Sequence, residues 1–279
     1  MKRDLARVKH GIARLSQQMA QVEKRSLIRQ IVTYVASIVV LLFFWWVASL
    51  AVNAINRLEL LPGPFEALSQ VVKNAAELRR HFWLSAWRLV LALLLALTVG
   101  VPVGLFIGRE RFLDRFISPM IYITYPIPQV ALLLVLFIIF GIGNATIVAM
   151  VTLALLFQIL VSARGEAKNI DEEYVISVLS AGARRWQIYW HVILPATLPG
   201  ILTSVRVSIG LGVAFLYIAE TTVMGGGLGF YIKNHMLFAR DRAFAGIVTL
   251  ALLGLLLYVV VDVLERVFCR WKYAKGRSL

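Results

Sequence analysis

With 279 residues, 60% of them hydrophobic, and a mean hydropathy of +0.80, the chain is too apolar for an ordinary soluble domain. Its single cysteine, Cys269, excludes an internal disulfide framework or a Cys-based metal cluster, and the four histidines show no ligand spacing. The net charge of +14 would suit nucleic acid, but its distribution follows membrane topology, so no nucleic-acid partner is expected.

Continuous apolar runs of about 20 residues, the length that a hydrocarbon core of roughly 30 Å demands of a helix, recur along the chain. None alternates as barrel strands do. The sequence therefore predicts an all-α integral membrane protein with six spans, near 31–52, 86–107, 117–140, 144–162, 201–220 and 244–264. Segments 1–30, 108–116, 163–200 and 265–279 carry 8, 3, 4 and 5 Lys and Arg residues, against 5 and 3 in 53–88 and 221–243. Arg206 lies just inside the fifth span. This asymmetry predicts an N-in/C-in arrangement.

Residues 1–30 do not read as a cleavable signal, because the charged region is long and the apolar run after it reaches spanning length. Leu5, Val8, Ile12, Leu15, Met19 and Val22 draw one apolar stripe on a helix, with Arg7, Lys9, Arg14, Lys24 and Arg25 off it. Such an amphipathic N-terminal helix lies on membrane lipid of the inner leaflet, drawn by anionic headgroups, or packs on a partner or a twin. The domain reading is thus 1–30 as a cytoplasmic helix and 31–279 as one integral domain.

Residues 60–68 mark a turn and a short external helix, and Phe82, Trp83 and Trp87 lead into the second span as interfacial aromatics. The third apolar segment is broken by the run Thr124 to Gln129, which contains two prolines. Backbone freed at membrane depth must be satisfied by protein or water. Tyr125 and Gln129 are therefore pathway or gate candidates, with a kink satisfied by neighbouring helices as the alternative.

The polar stretch 163–200 between the fourth and fifth spans reads as two short helices with a sharp corner at Gly182. Asp171, Glu172 and Glu173 open the first helix, and Val175, Val178, Leu179 and Trp186 supply an apolar face. Leu194-Pro195 and Leu198-Pro199 are expected to end the second helix, which runs to about His191. In the fifth span Ser204, Ser208 and Gly212 recur every fourth residue, which means close helix packing or a lining for a central route. Arg206 reads as snorkelling or bracing a loop. Glu220, at the outer end, is expected to bond the Gly225–Gly229 loop or pair with Lys233 or Arg240.

From Gly182, nine residues lead to Val192, and one more to Leu194-Pro195. This spacing resembles the cytoplasmic "EAA" loop of ABC-importer permeases. Phe140-Gly141-Ile142-Gly143, Arg206, Ala219-Glu220 and Gly227-Leu228-Gly229 extend the likeness over roughly 60–270, to the nitrate, sulfonate and taurine group of binding-protein-dependent permeases. The chain departs from the pattern at Ile176-Ser177-Val178, where the family usually has Glu-Ala-Ala, and at Gln158, where many relatives have proline. The resemblance implies a homodimeric permease subunit in a bacterial inner membrane, with two cytoplasmic ABC ATPase subunits and an external substrate-binding protein. It assigns ATPase coupling to Glu172, Glu173, Ile176, Ser177, Val178, Ala181, Gly182, Ala183, Arg184 and Trp186, and a structural role to Pro195. The sequence contains no Gly-x-x-x-x-Gly-Lys-Ser/Thr phosphate loop, so ATP and Mg are expected on the partner and the chain is not expected to be an enzyme.

Two other functions fit the same composition: an ion-driven secondary transporter, and a non-transporting membrane anchor or assembly protein. The basic residues Arg79, Arg80, Lys233, Arg240 and Arg242 lean towards a small anion such as nitrate, a sulfonate or bicarbonate, or towards an acidic partner face or lipid phosphate.

Overall fold

A computed structural model describes residue 29 and residues 32–57, 59–124, 127–223 and 225–271. The N-terminal stripe and Tyr125 fall outside the described residues. Among these every regular element is helical, and the chain divides into two compact units, 1–66 and 67–279.

The first unit is built on α1 (Val32–Asn56). Its side surface is exposed, with Phe43, Phe44 and Leu50 turned outward, as a helix bathed in lipid requires. The chain then folds back on the end of α1. Asn53 accepts from the Leu60 and Leu61 amides at 2.9 and 3.0 Å and donates to the Leu61 carbonyl, while Ser49 donates to that same carbonyl at 2.6 Å. This capping by side chains satisfies the backbone groups of the turn within the chain itself.

The short helix α2 (Pro64–Lys73) bridges the division between the units. The second unit then contains α3 (Ala75–Arg109), α4 (Arg111–Thr124), a 3-10 turn at Gln129–Ala131, α5 (Leu132–Phe140), α6 (Asn144–Lys168), α7 (Glu172–Ser180), α8 (Arg185–Ile188), α9 (Leu194–Thr222), α10 (Leu228–His235) and α11 (Arg240–Phe268). α6 lies at the centre, packed between α3 and α9, and α11 closes against α9 and α10. Small residues permit this closeness. Ala92, Ala96, Ala163 and Ala167 are fully buried, and a Cβ on Gly104 would stand 2.6 Å from the Leu160 carbonyl oxygen. In lipid, where apolar surface gains nothing from leaving water, such backbone approach carries helix association. Gly104→Leu is therefore expected to destabilise the bundle by about 1–3 kcal/mol. Gly165→Leu, whose Cβ would meet open space, should leave the thermal unfolding curve in detergent unchanged.

Two outcomes refine the expected spans and one expectation is corrected. The helix that holds the second apolar run, expected to span near 86–107, starts already at Ala75, because Arg79, Arg80 and His81 continue its helical pattern ahead of the apolar run. The third segment is broken where its two prolines fall, into α4 and the helix beginning at Gln129, with axes bent by 75°. Five helices are long and apolar enough to cross a membrane, or six with that bent pair as one. Finally, Pro195 and Pro199 do not end a helix. The chain stays helical from Arg185 to Thr222 through a π-helical stretch at Tyr189–Ile193. Widening the turn just before Pro195 makes room for its ring against the preceding carbonyls, and Thr197 Oγ1 donates to the Ile193 carbonyl at 2.9 Å.

Candidate functional site

Between α6 and α9 the chain makes a corner whose local geometry follows from its residues. Gly182 has φ +89°, a left-handed conformation that glycine adopts without strain. The Gly182 amide bonds the Leu179 carbonyl at 2.9 Å and the Ala183 amide bonds that of Val178 at 3.3 Å, the reciprocal pair that terminates a helix through a glycine. Beyond the corner the Arg184 amide donates to Gln187 Oε1 at 2.8 Å, which caps α8. Two helices are thus locked at a fixed angle with no side chain at the apex.

The expected apolar face divides in two. Val175, Val178 and Ala183 pack against the core, whereas Leu179 and Trp186 point away from it. Tyr174, Ile176 and Trp190 join them, so that large apolar side chains up to 66% exposed crowd a polar segment. A helix with two apolar sides needs a second surface to cover one of them. Ser177, Ala181, Gly182 and Arg184 are exposed on the same corner, and nothing of this chain lies within 4 Å of a Cβ built on Gly182. Glu172 pairs with Arg111 of α4, and Ser177 donates to the Glu173 carbonyl at 2.7 Å.

Two charged layers brace the bundle. At the end carrying the corner, Asp114 of α4 receives Arg164 Nε at 2.5 Å and Lys168 at 2.9 Å, both from α6. In the same layer Arg206 of α9 reaches Asp262 at 2.6 Å and Glu265 at 2.5 Å, both on α11, with its guanidinium 5.8 Å from the Tyr258 ring.

At the opposite end Glu220, fully buried, meets Arg88, 1% exposed, at 2.8 Å. The carboxylate also accepts from Ser85 Oγ at 2.8 Å and from the Gly229 amide at 2.9 Å. Arg88 donates to the Gly226 carbonyl at 2.8 Å and to Asn144 Oδ1 of α6. The Leu228 amide donates to Ser85 Oγ and the Gly227 amide to His81 Nδ1 at 3.0 Å. Gly227, at φ +112°, lies so close to Glu220 that a Cβ there would collide with the carboxylate. The pair therefore pins the glycine loop, α3, α6 and α9 together.

Glu220 does bond the glycine loop, as expected, but its cation is Arg88 rather than Lys233 or Arg240, and Lys233 donates instead to the Thr221 carbonyl at 2.7 Å. Sequence reasoning passed over Arg88 by counting it with an external segment. The available signal was a cation inside an apolar run, which at membrane depth demands a partner. Ser208 is buried at 1% and donates to the Ser204 carbonyl, and a Cβ on Gly212 would press on Leu89 and Leu155. That stripe packs helix on helix within the chain. The outward face of α9 carries Val207, Gly210, Leu211 and Ala214 instead. Gln129 opens the 3-10 turn and is half-buried.

Residues 100–269 match the family described as "Binding-protein-dependent transport system inner membrane component". The chain belongs to this family. It is accordingly a multi-pass inner-membrane permease of the ABC-importer type. The permease is 32% identical to TauC of Escherichia coli (strain K12), a taurine transport system permease protein, over 87% of this chain and 90% of that one. It is 34% identical to SsuC of the same organism, named for aliphatic sulfonates transport, over 77% and 83%. The MetNI methionine ABC transporter in an inward-facing conformation has a chain that superposes with a TM-score of 0.60 at 21% identity, covering 70% of the permease and 97% of that chain. That likeness concerns the fold.

Proposed function

We propose that the permease forms, as two copies, the translocation pathway of an importer for a compact sulfonate, and that the corner at Gly182 receives force from a separate cytoplasmic ATPase. The observation that carries the coupling is the unsatisfied second apolar face, Ile176, Leu179, Trp186 and their neighbours, around an apex left open at Gly182. Val178 and Ala183 anchor this corner to the core, so a push on it is transmitted to α6 and α9 as rigid bodies. Ser177, Arg184, Glu172 and Glu173 form the polar surround of the dock, and the small Ala181 lies beside its apex. ATP and Mg bind on the partner, and an external binding protein delivers the solute. The sulfonate class is supported by the likeness to TauC and SsuC.

In this reading the chain crosses six times with both termini inside, the bent pair α4 and α5 forming one crossing, and 1–30 lies as an amphipathic helix on inner-leaflet lipid. The twin subunit sits against the outward face of α9. Gln129 and Tyr125 face the pathway, Ser204, Ser208 and Gly212 support it by packing, and Pro195, Arg206 and Glu220 hold the scaffold. The test is uptake by proteoliposomes holding the permease, the ATPase and the binding protein. Sulfonate accumulation that needs both ATP and the binding protein is expected, whereas accumulation driven by an ion gradient without ATP would overturn the reading.

A further inference from the structure

Beside the corner, the C-terminal part of α3 and the helical run from Arg185 to Leu194 enclose a groove of about 700 Å³. Its wall is apolar and aromatic, with Val103, Phe106, Trp186 and Trp190 all exposed along it. Two charged residues line it as well: Glu110, just past the end of α3, and Arg185, at the start of α8. Both lie at the corner end of the bundle, since α3 arrives there, with Arg109 donating to the Ile170 carbonyl at 3.2 Å, and the Arg185 run departs from it. The far end is closed by Val101 and Leu194. On each wall the step from charged end to far end is nine residues, or about 13 Å of helix. That is close to the depth of one leaflet, about 15 Å or half of the hydrocarbon core. Among the described residues the side chains of Glu110 and Arg185 make no hydrogen bond or ion pair, with each other or with any neighbour. Opposite charges that share a rim unpaired leave room for a group carrying both signs.

We propose that this groove holds one phospholipid of the adjoining leaflet whose headgroup carries both a phosphate and a primary ammonium, as in phosphatidylethanolamine. The Arg185 guanidinium meets the phosphate through its planar fork of donors. Glu110 accepts from the ammonium, and the indole faces of Trp186 and Trp190 attract the same cation at the level where such aromatics sit in a membrane. An acyl chain then follows Val103 and Phe106 towards Val101 and Leu194. A headgroup with a phosphate alone leaves Glu110 without a counter-charge, and an apolar protein segment leaves both charges unmatched. With the corner on the cytoplasmic side, as proposed above, the leaflet is the inner one. Trp186 and Trp190 line the groove, whereas Ile176, Leu179 and Gly182 of the coupling face do not. Lipid binding and ATPase docking are therefore separable.

The experiment titrates the full-length permease in detergent with palmitoyl-oleoyl phosphatidylethanolamine or phosphatidylglycerol and counts bound lipids per chain by native mass spectrometry. The wild type is expected to hold one phosphatidylethanolamine about fivefold more tightly than phosphatidylglycerol, the factor that one partly exposed charge pair supplies. Glu110→Gln should remove that preference by weakening phosphatidylethanolamine alone. Arg185→Gln should weaken both lipids, again about fivefold. Val103→Trp, which keeps both charges but fills the groove, should displace both. Because Glu110 and Arg185 bond no other side chain, the melting temperature of their glutamine variants should match the wild type, which separates lost binding from misfolding. Equal affinity of the wild type for the two lipids, or a Glu110→Gln protein that keeps the wild-type preference, overturns the site. A dimer that dissociates on Val103→Trp while lipid counts stay unchanged gives the groove to a second copy and overturns it too. None of these readouts depends on ATPase recovery, so failure of the coupling assignment leaves the lipid site standing, and the reverse.

Discussion

Arg88→Met should sharply reduce the yield and melting temperature of the permease in detergent, at a cost of about 3–5 kcal/mol, the range for removing one partner of a buried ion pair. The cause is the orphaned charge rather than the lost contact. Glu220 is wholly enclosed, and without the guanidinium its carboxylate keeps only Ser85 Oγ and the Gly229 amide as donors. The Gly226 carbonyl and Asn144 Oδ1 also lose their donor, so the glycine loop and the first turn of α6 come loose together. The double variant Arg88→Met with Glu220→Gln should recover much of the melting temperature, because a neutral amide can still accept from Ser85 and Gly229 without a counter-charge. Equal melting of Arg88→Met and wild type would contradict the pinning role. Glu220→Gln alone leaves the cation unmatched and should fall between the two. A Glu220→Gln protein that melts normally yet transports nothing would point instead to proton coupling.

Gly182→Glu is expected to abolish co-purification of the ATPase and with it ATP-dependent uptake, while the permease itself still inserts and folds. Two effects act together. A side chain at φ +89° strains the turn by about 1–3 kcal/mol. The larger effect is that a carboxylate is placed at an apex that the chain leaves empty for its neighbour. Because nothing in this subunit contacts that position, the loss of ATPase falls on the interface, and the isolated permease should melt lower only by the share that the turn strain accounts for. Deletion of 176–186 should have the same outcome through loss of the whole corner. Undiminished ATPase recovery with either variant would remove the coupling role from this segment.

The corner itself was readable because its determinants are local. A glycine that must be left-handed, an acidic first turn and a fixed distance to Leu194-Pro195 need no tertiary information. Its exposure was only half readable. The sequence groups Val175, Val178, Leu179 and Trp186 as one face, but only the packing of α7 on the core tells which of them are covered. The prolines misled for a related reason. Pro195 is a helix breaker by local rule, yet a π-helical stretch upstream accommodates it and the helix runs on to Thr222.

Composition and periodicity alone settled that this chain is a helical membrane protein, since in hydrocarbon every backbone group must be satisfied within the segment. The loop spacing, being local, also pointed to the importer family. What the tertiary structure decided is which polar residue meets which: Arg88 with Glu220, Asp114 with Arg164, and Arg206 with Asp262. Those partners lie far apart in the chain, and pairing at membrane depth depends on helix rotation and register. The apolar pattern of a helix wrapped in both lipid and protein does not encode that rotation, because it is apolar on every side.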